Sequence, residues 1–255
     1  MNLIKFVFGG AICVVWFLAI HTIKMFRMYL VLLEHRTEFK RFVFAYLHTT
    51  LVNLIIPFKL GEIYRMFVYS KITKNARVGI AGTVVDRFFD TMALVLILIP
   101  LHVLHPDKIS AVSVFLAVFV IVTVFVYIVF MPAYGYLNKF IIMNRDSKNS
   151  MAVLNLLEVA KSAYDYVKQL VSGRYAVILL MSFASWVLEG GLLFVLAGLM
   201  GVSYGGGVFS DYITSILSSA HSVLQERYTI FSIVVIAICT LVQGIIIYEK
   251  RDSNI

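Results

Sequence analysis

Charge is what this sequence has least of. Only 14% of its 255 residues are Asp, Glu, Lys or Arg, where a soluble domain carries about 25%. Cysteine and proline are also scarce, two and four residues respectively. Cys13 and Cys239 both stand in apolar runs, which excludes a disulfide scaffold or a thiolate zinc site. Disorder is excluded by the same scarcity of charge together with the high apolar content. So are the alternating segments of about ten residues that build a transmembrane β-barrel. No Ser/His/Asp or Cys/His grouping and no HExxH pair is legible, and Gly205 to Gly207 lacks the strand–turn–helix setting of a nucleotide loop. An enzyme is therefore not expected, nor is a cofactor. What the chain does have is apolar surface: 61% hydrophobic residues and a mean hydropathy of +0.91. Its apolar runs are unbroken and helical in length. They predict an all-α, polytopic helical membrane protein, one membrane domain over residues 1–255. It should have about five to six spans plus one or two re-entrant helical hairpins.

The basic residues give the orientation. Phe6 to Ile23 is long enough to cross a bilayer and exceeds the apolar core of a cleaved signal, so it reads as a retained span. Lys24, Arg27, His35, Arg36, Lys40 and Arg41 follow it, placing that side in the cytoplasm and the N-terminus outside. Phe42 to Ile56 and Leu60 to Tyr69 are both short, and Lys71, Lys74 and Arg77 come next. A re-entrant hairpin over residues 42–70, turning near Pro57 to Gly61, keeps both basic flanks inside. Val78 to Leu101 then runs outward and Ser110 to Met131 returns. Residues 132–174 form a polar cytoplasmic stretch in which Leu156, Ala160, Tyr164, Val167 and Val171 fall at helical spacing, the pattern of an amphipathic helix on a membrane surface. Tyr175 to Met200 and Phe231 to Tyr248 are further spans. Residues 208–229 either cross or re-enter; the basic end Lys250–Arg251 favours re-entry and a cytoplasmic C-terminus. The net charge of +8 is scattered along the chain and follows from insertion, so no nucleic-acid partner is expected.

Charges inside apolar sequence mark the candidate site. Asn53, Pro57, Lys59, Gly61, Glu62 and Arg65 form one cluster, with Glu62 and Arg65 close enough on a helix to pair. Pro57 ends one half-helix, and amides at the start of the second could face an anion; a plain interfacial loop with snorkelling charges is the alternative. Asp86, Arg87 and Asp90 lie about 12–18 Å into a span that starts near Val78, where unpaired charge is costly. Arg65 is a candidate partner for either aspartate and Arg87 for Glu62, in a lipid site or a static ion network. Glu189 stands alone in its span, and His221, Glu226 and Arg227 are secondary candidates. His102, His105 and Asp107 make too unspecific a group to predict a metal.

The run Asn53-Leu-Ile-Ile-Pro57-Phe-Lys-Leu-Gly61-Glu62-Ile-Tyr-Arg65 resembles the N…P…GE…R signature of the lysylphosphatidylglycerol synthase transmembrane, or flippase-like, family. Asp86-Arg87-Phe-Phe-Asp90 is similar to that family's continuation, at matching separation. The likeness is firm over Thr49 to Leu101 and looser from Ser185-Trp186 onward. It implies an integral protein of a bacterial or archaeal cytoplasmic membrane, with re-entrant helices and a cavity for a lipid headgroup. The chain resembles a short member, with one N-terminal span fewer and no synthase domain, so aminoacyl transfer is not implied. Its Ser218 to Glu226 segment has the family's Glu without the usual Pro and Gly. The expected function is binding and translocation of an anionic, glycosylated or aminoacylated lipid across the inner membrane. The alternative is a non-transporting subunit that anchors or regulates a glycosyltransferase or lipid synthase. The expected partners are a phospholipid or lipid-linked sugar and such a membrane-associated enzyme, with an oligomer left open.

Overall fold

A computed structural model describes residues 3–33, 37–56, 60–104, 111–143, 148–201, 209, 212–213 and 223–252. Among these the elements are eight long helices and no strand: α1 (Leu3–Leu32), α2 (Phe39–Ile55), α3 (Leu60–Thr73), α4 (Ala76–Leu104), α5 (Ala111–Met143), α6 (Lys148–Val171), α7 (Tyr175–Met200) and α8 (Val223–Asp252). Four of them are long and apolar enough to cross a membrane: α1, α5, α7 and α8. The sequence-based count also included α4, which is 29 residues long but carries Arg77, Asp86, Arg87 and Asp90.

The α2–α3 pair is a helical hairpin. At 17 and 14 residues, the two helices are about 25 and 21 Å long, short of the roughly 30 Å of a hydrocarbon core. They run antiparallel: Phe42 stacks on Tyr69 at 6.0 Å, His48 Nε2 pairs with the Tyr64 hydroxyl at 2.8 Å, and Asn53 meets Glu62 at the tip. Gly61 allows this approach, because a Cβ there would collide with Asn53. Pro57 and Lys59 lie outside the described residues. At the other end of α3 the chain reverses through Lys74, in the left-handed region at φ 53°. The Asn75 side chain then accepts the Arg77 N–H at 3.0 Å, capping α4. Gly79 packs directly on Ser70, so α3 and α4 pack closely along their length.

The main core lies between α1, α4, α7 and α8, around Phe17, Ile20, Leu192, Leu193 and Ile236. A second cluster, Met28, Phe42, Tyr69 and Val78, docks the hairpin onto α1 and α4. Two expected boundaries move. Helix α5 continues through Pro132 to Met143, and α6 packs back antiparallel on it, with Tyr164 stacked on Tyr127 and Phe130 at 4.9 Å. Residues 223–229 are the first turns of α8, continuous with the last span; the rest of the 208–229 segment, apart from Phe209, Tyr212 and Ile213, lies outside the described residues.

Candidate functional site

The helices converge on a buried ion-pair network. If the turns at Thr73–Ala76 and at Tyr175 mark one face of the bilayer, as exposed Lys71, Lys74 and Arg77 indicate, Glu62, Asp86, Asp90 and Glu189 lie about 15–21 Å inside it. Charge at that depth must be paired, and it is.

Arg27 of α1 is its centre. Its side chain is 1% exposed; Nε donates to Asp86 Oδ1 at 2.7 Å, and one Nη donates both to Asp90 Oδ1 at 2.6 Å and to Ser182 Oγ at 2.9 Å. The other Asp86 oxygen accepts from Arg87 at 2.8 Å, and Arg87 reaches Asp90 Oδ2 at 3.5 Å. Two carboxylates are thus sandwiched between two guanidinium groups, the planar fork that suits such pairing. Trp186 Nε1 donates to the backbone carbonyl of Asp90 at 3.2 Å, tying α7 to the middle of α4.

The hairpin tip supplies the second part. Glu62 Oε1 accepts from Asn53 Nδ2 at 3.0 Å and lies 3.6 Å from Arg87; its Oε2 lies 3.4 Å from Arg65. Arg65 is 5% exposed. Three buried atoms here have no hydrogen-bond partner in the protein: Glu62 Oε2, Arg65 Nε and Arg87 Nε. Arg87, 39% exposed along its side chain, is the most open of these charged groups.

The third part surrounds Glu189. Its Oε2 pairs with Lys24 at 2.5 Å, and Oε1 accepts from the Tyr212 and Tyr228 hydroxyls at 2.9 and 3.3 Å. Lys24 also sits 5.4 Å from the Trp186 ring centre, a cation–π geometry.

The structure therefore brings Asn53, Glu62, Arg65, Asp86, Arg87 and Asp90 together, with Gly61 as the contact that lets the hairpin close. The expected Glu62–Arg65 and Glu62–Arg87 neighbours are present. The partner of Asp86 and Asp90 that was expected in Arg65 is instead Arg27. Glu189, solitary in the sequence, has three partners. Glu226 and Arg227 are exposed on α8, while His221, His105 and Asp107 lie outside the described residues. Lys24 and Arg27 were assigned to a cytoplasmic basic stretch, but α1 carries them on to Leu32. The signal that would have found them is a charge count. Four acids inside apolar runs, Glu62, Asp86, Asp90 and Glu189, faced only Lys59, Arg65 and Arg87, so at least one further cation was owed.

These features define a class: a helical membrane protein in which α1, a two-helix hairpin, α4 and α7 enclose a paired charge cluster. The chain belongs to the family described as lysylphosphatidylglycerol synthase TM region, whose model matches residues 3–224. It is similar to the UPF0104 membrane protein MJ1078 of Methanocaldococcus jannaschii, 24% identical over 185 residues that cover 66% of this chain and 70% of that protein. No solved structure matches the chain at a significant level.

Proposed function

We propose that this protein binds the headgroup of an anionic or sugar-linked membrane lipid at the tip of the α2–α3 hairpin and carries it between leaflets. The observation that supports this reading is the pair of buried N–H groups, Arg65 Nε and Arg87 Nε, left without a protein partner beside the first turn of α3. A buried donor of this kind costs stability unless something accepts from it, and a helix N-terminus favours the same negative ligand. The α2–α3 pair acts as a re-entrant hairpin, being too short to cross and basic at both outer ends. In this reading the N-terminus is outside, residues 132–174 and the C-terminus are cytoplasmic, and the membrane is a cytoplasmic one. The role is binding and transport rather than catalysis. The test is mass spectrometry of lipids retained by the purified protein, wild type against Arg65→Ala. The variant should lose an anionic species that the wild type retains, and an identical lipid complement in both would refute the site.

A second reading is a membrane subunit that docks a glycosyltransferase or lipid synthase. It draws on α6, where Leu156 and Val159 are exposed on a helix that packs chiefly on α5. Co-purification of a stoichiometric enzyme, lost on Leu156→Glu, would favour it.

A further inference from the structure

We infer that α5 is the contact between two copies of this chain, which stand parallel in one membrane. They meet along an apolar stripe that continues from the bilayer into water.

Helix α5 has 33 residues and is about 50 Å long. A hydrocarbon core is about 30 Å thick. Burying the whole helix in lipid would need a tilt of about 50°, outside the roughly 0–40° of membrane spans. The packing of α6 marks where α5 leaves. Tyr164 stacks on Tyr127 and Phe130, and two residues later Tyr166 packs against the cluster of Met28, Phe42, Tyr69 and Val78. Those four stand about one turn from the ends of α1, α2, α3 and α4, beside exposed Lys71, Lys74 and Arg77. Tyr127 and Phe130 are therefore level with the basic rim of the bundle. The first part of α5, Ala111 to Met131, is about 31 Å long, one hydrocarbon core. Pro132 to Met143 run on for about 18 Å as one half of a two-helix arm with α6.

A helix in water turns its polar residues outward, and this arm does not. Tyr134 faces α6, with Lys161 Nζ 5.1 Å from its ring centre. Tyr136 and Phe140, stacked on one another at 6.2 Å, lie on the opposite side with Met143, at 70%, 52% and 74% exposure. Within the bilayer the same side carries Phe115, Val118, Val122, Phe125 and Val129, all exposed. From Phe115 through Pro132 to Tyr136 the stripe advances in alternating steps of three and four residues, the spacing of a coiled-coil seam. Among the described residues, α4 and α6 pack on the other sides of α5.

Lipid tails can cover the upper stripe but not the arm, where exposed apolar surface of this extent marks an interface. The occupant must follow α5 through the bilayer and out of it. A second copy does so. Two copies inserted in the same direction are related by a two-fold axis along the bilayer normal, which makes the contact isologous. The two α5 helices are then parallel and in register, each level of the stripe meets itself, and both arms leave the bilayer at one height. Nothing in the stripe repels its own copy: residues 111–138 contain no Asp, Glu, Lys or Arg, and Lys139 stands at the edge. Its exposed Phe, Tyr, Val and Met side chains offer roughly 600 Å² per partner, about 1,200 Å² in all, the lower end of stable interfaces.

Single cysteines in a full chain carrying Cys13→Ala and Cys239→Ala test this, crosslinked by a short bismaleimide in native membranes. Phe125→Cys and Tyr136→Cys should form dimers at least about tenfold faster than Ile128→Cys and Ile142→Cys, which lie about a quarter turn or more off the stripe. Ile128 and Ile142 are themselves 66% and 53% exposed, so equal rates at all four positions would mean random collision and overturn the inference. Native mass spectrometry from lipid nanodiscs should count two chains for the wild type and for Leu156→Glu on α6. It should count one for Tyr136→Lys with Phe140→Lys, whose changes lie on an exposed face and should leave the thermal midpoint unchanged. A single chain in the wild type, two chains in the double-lysine variant, or crosslinking of the stripe to a different protein in place of a second copy would each overturn the pairing.

Discussion

Replacing Arg27 by methionine is the sharpest test of the network. The substitution keeps most of the side chain's length and apolar stem while removing the guanidinium. It breaks the bonds to Asp86 and Asp90 at 2.7 and 2.6 Å and the bond to Ser182 at 2.9 Å, in a setting where the Arg side chain is 1% exposed. Both aspartates then depend on Arg87, whose second contact, to Asp90, is only 3.5 Å. Removing one partner of a buried ion pair costs about 3–5 kcal/mol. For a chain of this length about 2–4 °C accompany each kcal/mol, so the midpoint of thermal unfolding in detergent should fall by about 6–20 °C. Arg41, paired with Glu38 at the surface with side chains 77% and 59% exposed, is the comparison, and Arg41→Ala should change stability by less than about 1 kcal/mol. A compensated variant separates lost charge from lost volume. Arg27→Met with Asp90→Asn restores neutrality and leaves Asp86 with Arg87, so it should recover at least half of the loss. Equal midpoints for Arg27→Met and Arg41→Ala, or a compensated variant worse than the single one, would refute the argument that pairing holds this cluster.

Three further outcomes are expected. Gly61→Ala and Gly79→Ala should each cost about 1–3 kcal/mol through backbone displacement, whereas Gly135→Ala, with open space around it, should be neutral or slightly stabilising; thermal midpoints decide. Tyr228→Phe, which removes a donor to Glu189 at 3.3 Å, should cost about 0.5–1.5 kcal/mol, and the same change in a Glu189→Gln background should cost measurably less, as a double-mutant cycle would reveal. A cysteine at exposed Lys139 should resist a membrane-impermeant maleimide in intact cells and react after permeabilisation; labelling from outside would invert the proposed orientation.

Much of this architecture was legible because membrane insertion is a local problem. Apolar length gave the helices, and two runs too short to cross gave the α2–α3 hairpin. The Glu62–Arg65 and Glu62–Arg87 contacts followed from two motifs close in sequence. Arg27 and Lys24 were not legible, because their partners are remote: 59 residues separate Arg27 from Asp86 and 165 separate Lys24 from Glu189. Standing at the end of an apolar run beside further basic residues, they had a cheaper local explanation as cytoplasmic anchors. Glu189 looked solitary for the same reason, since its three partners come from α1, α8 and the segment before α8. The break expected at Pro132 did not occur: a proline disfavours the preceding turn, yet α5 continues past it.

The separation of Arg27 from its acids has a consequence for how the chain is made. At synthesis rates of about 5–20 residues per second, the 59 residues between Arg27 and Asp86 take about 3–12 s. The 165 between Lys24 and Glu189 take about 8–33 s. During that interval α1 has no acidic partner for either cation. The nascent helix should therefore rest shallowly, with both side chains at the aqueous boundary, and slide inward by a turn or more once α4 and then α7 arrive. In a cysteine scan of ribosome-stalled chains, position 28 should be reactive before α4 emerges and silent after α7; uniform protection throughout would exclude such a late descent.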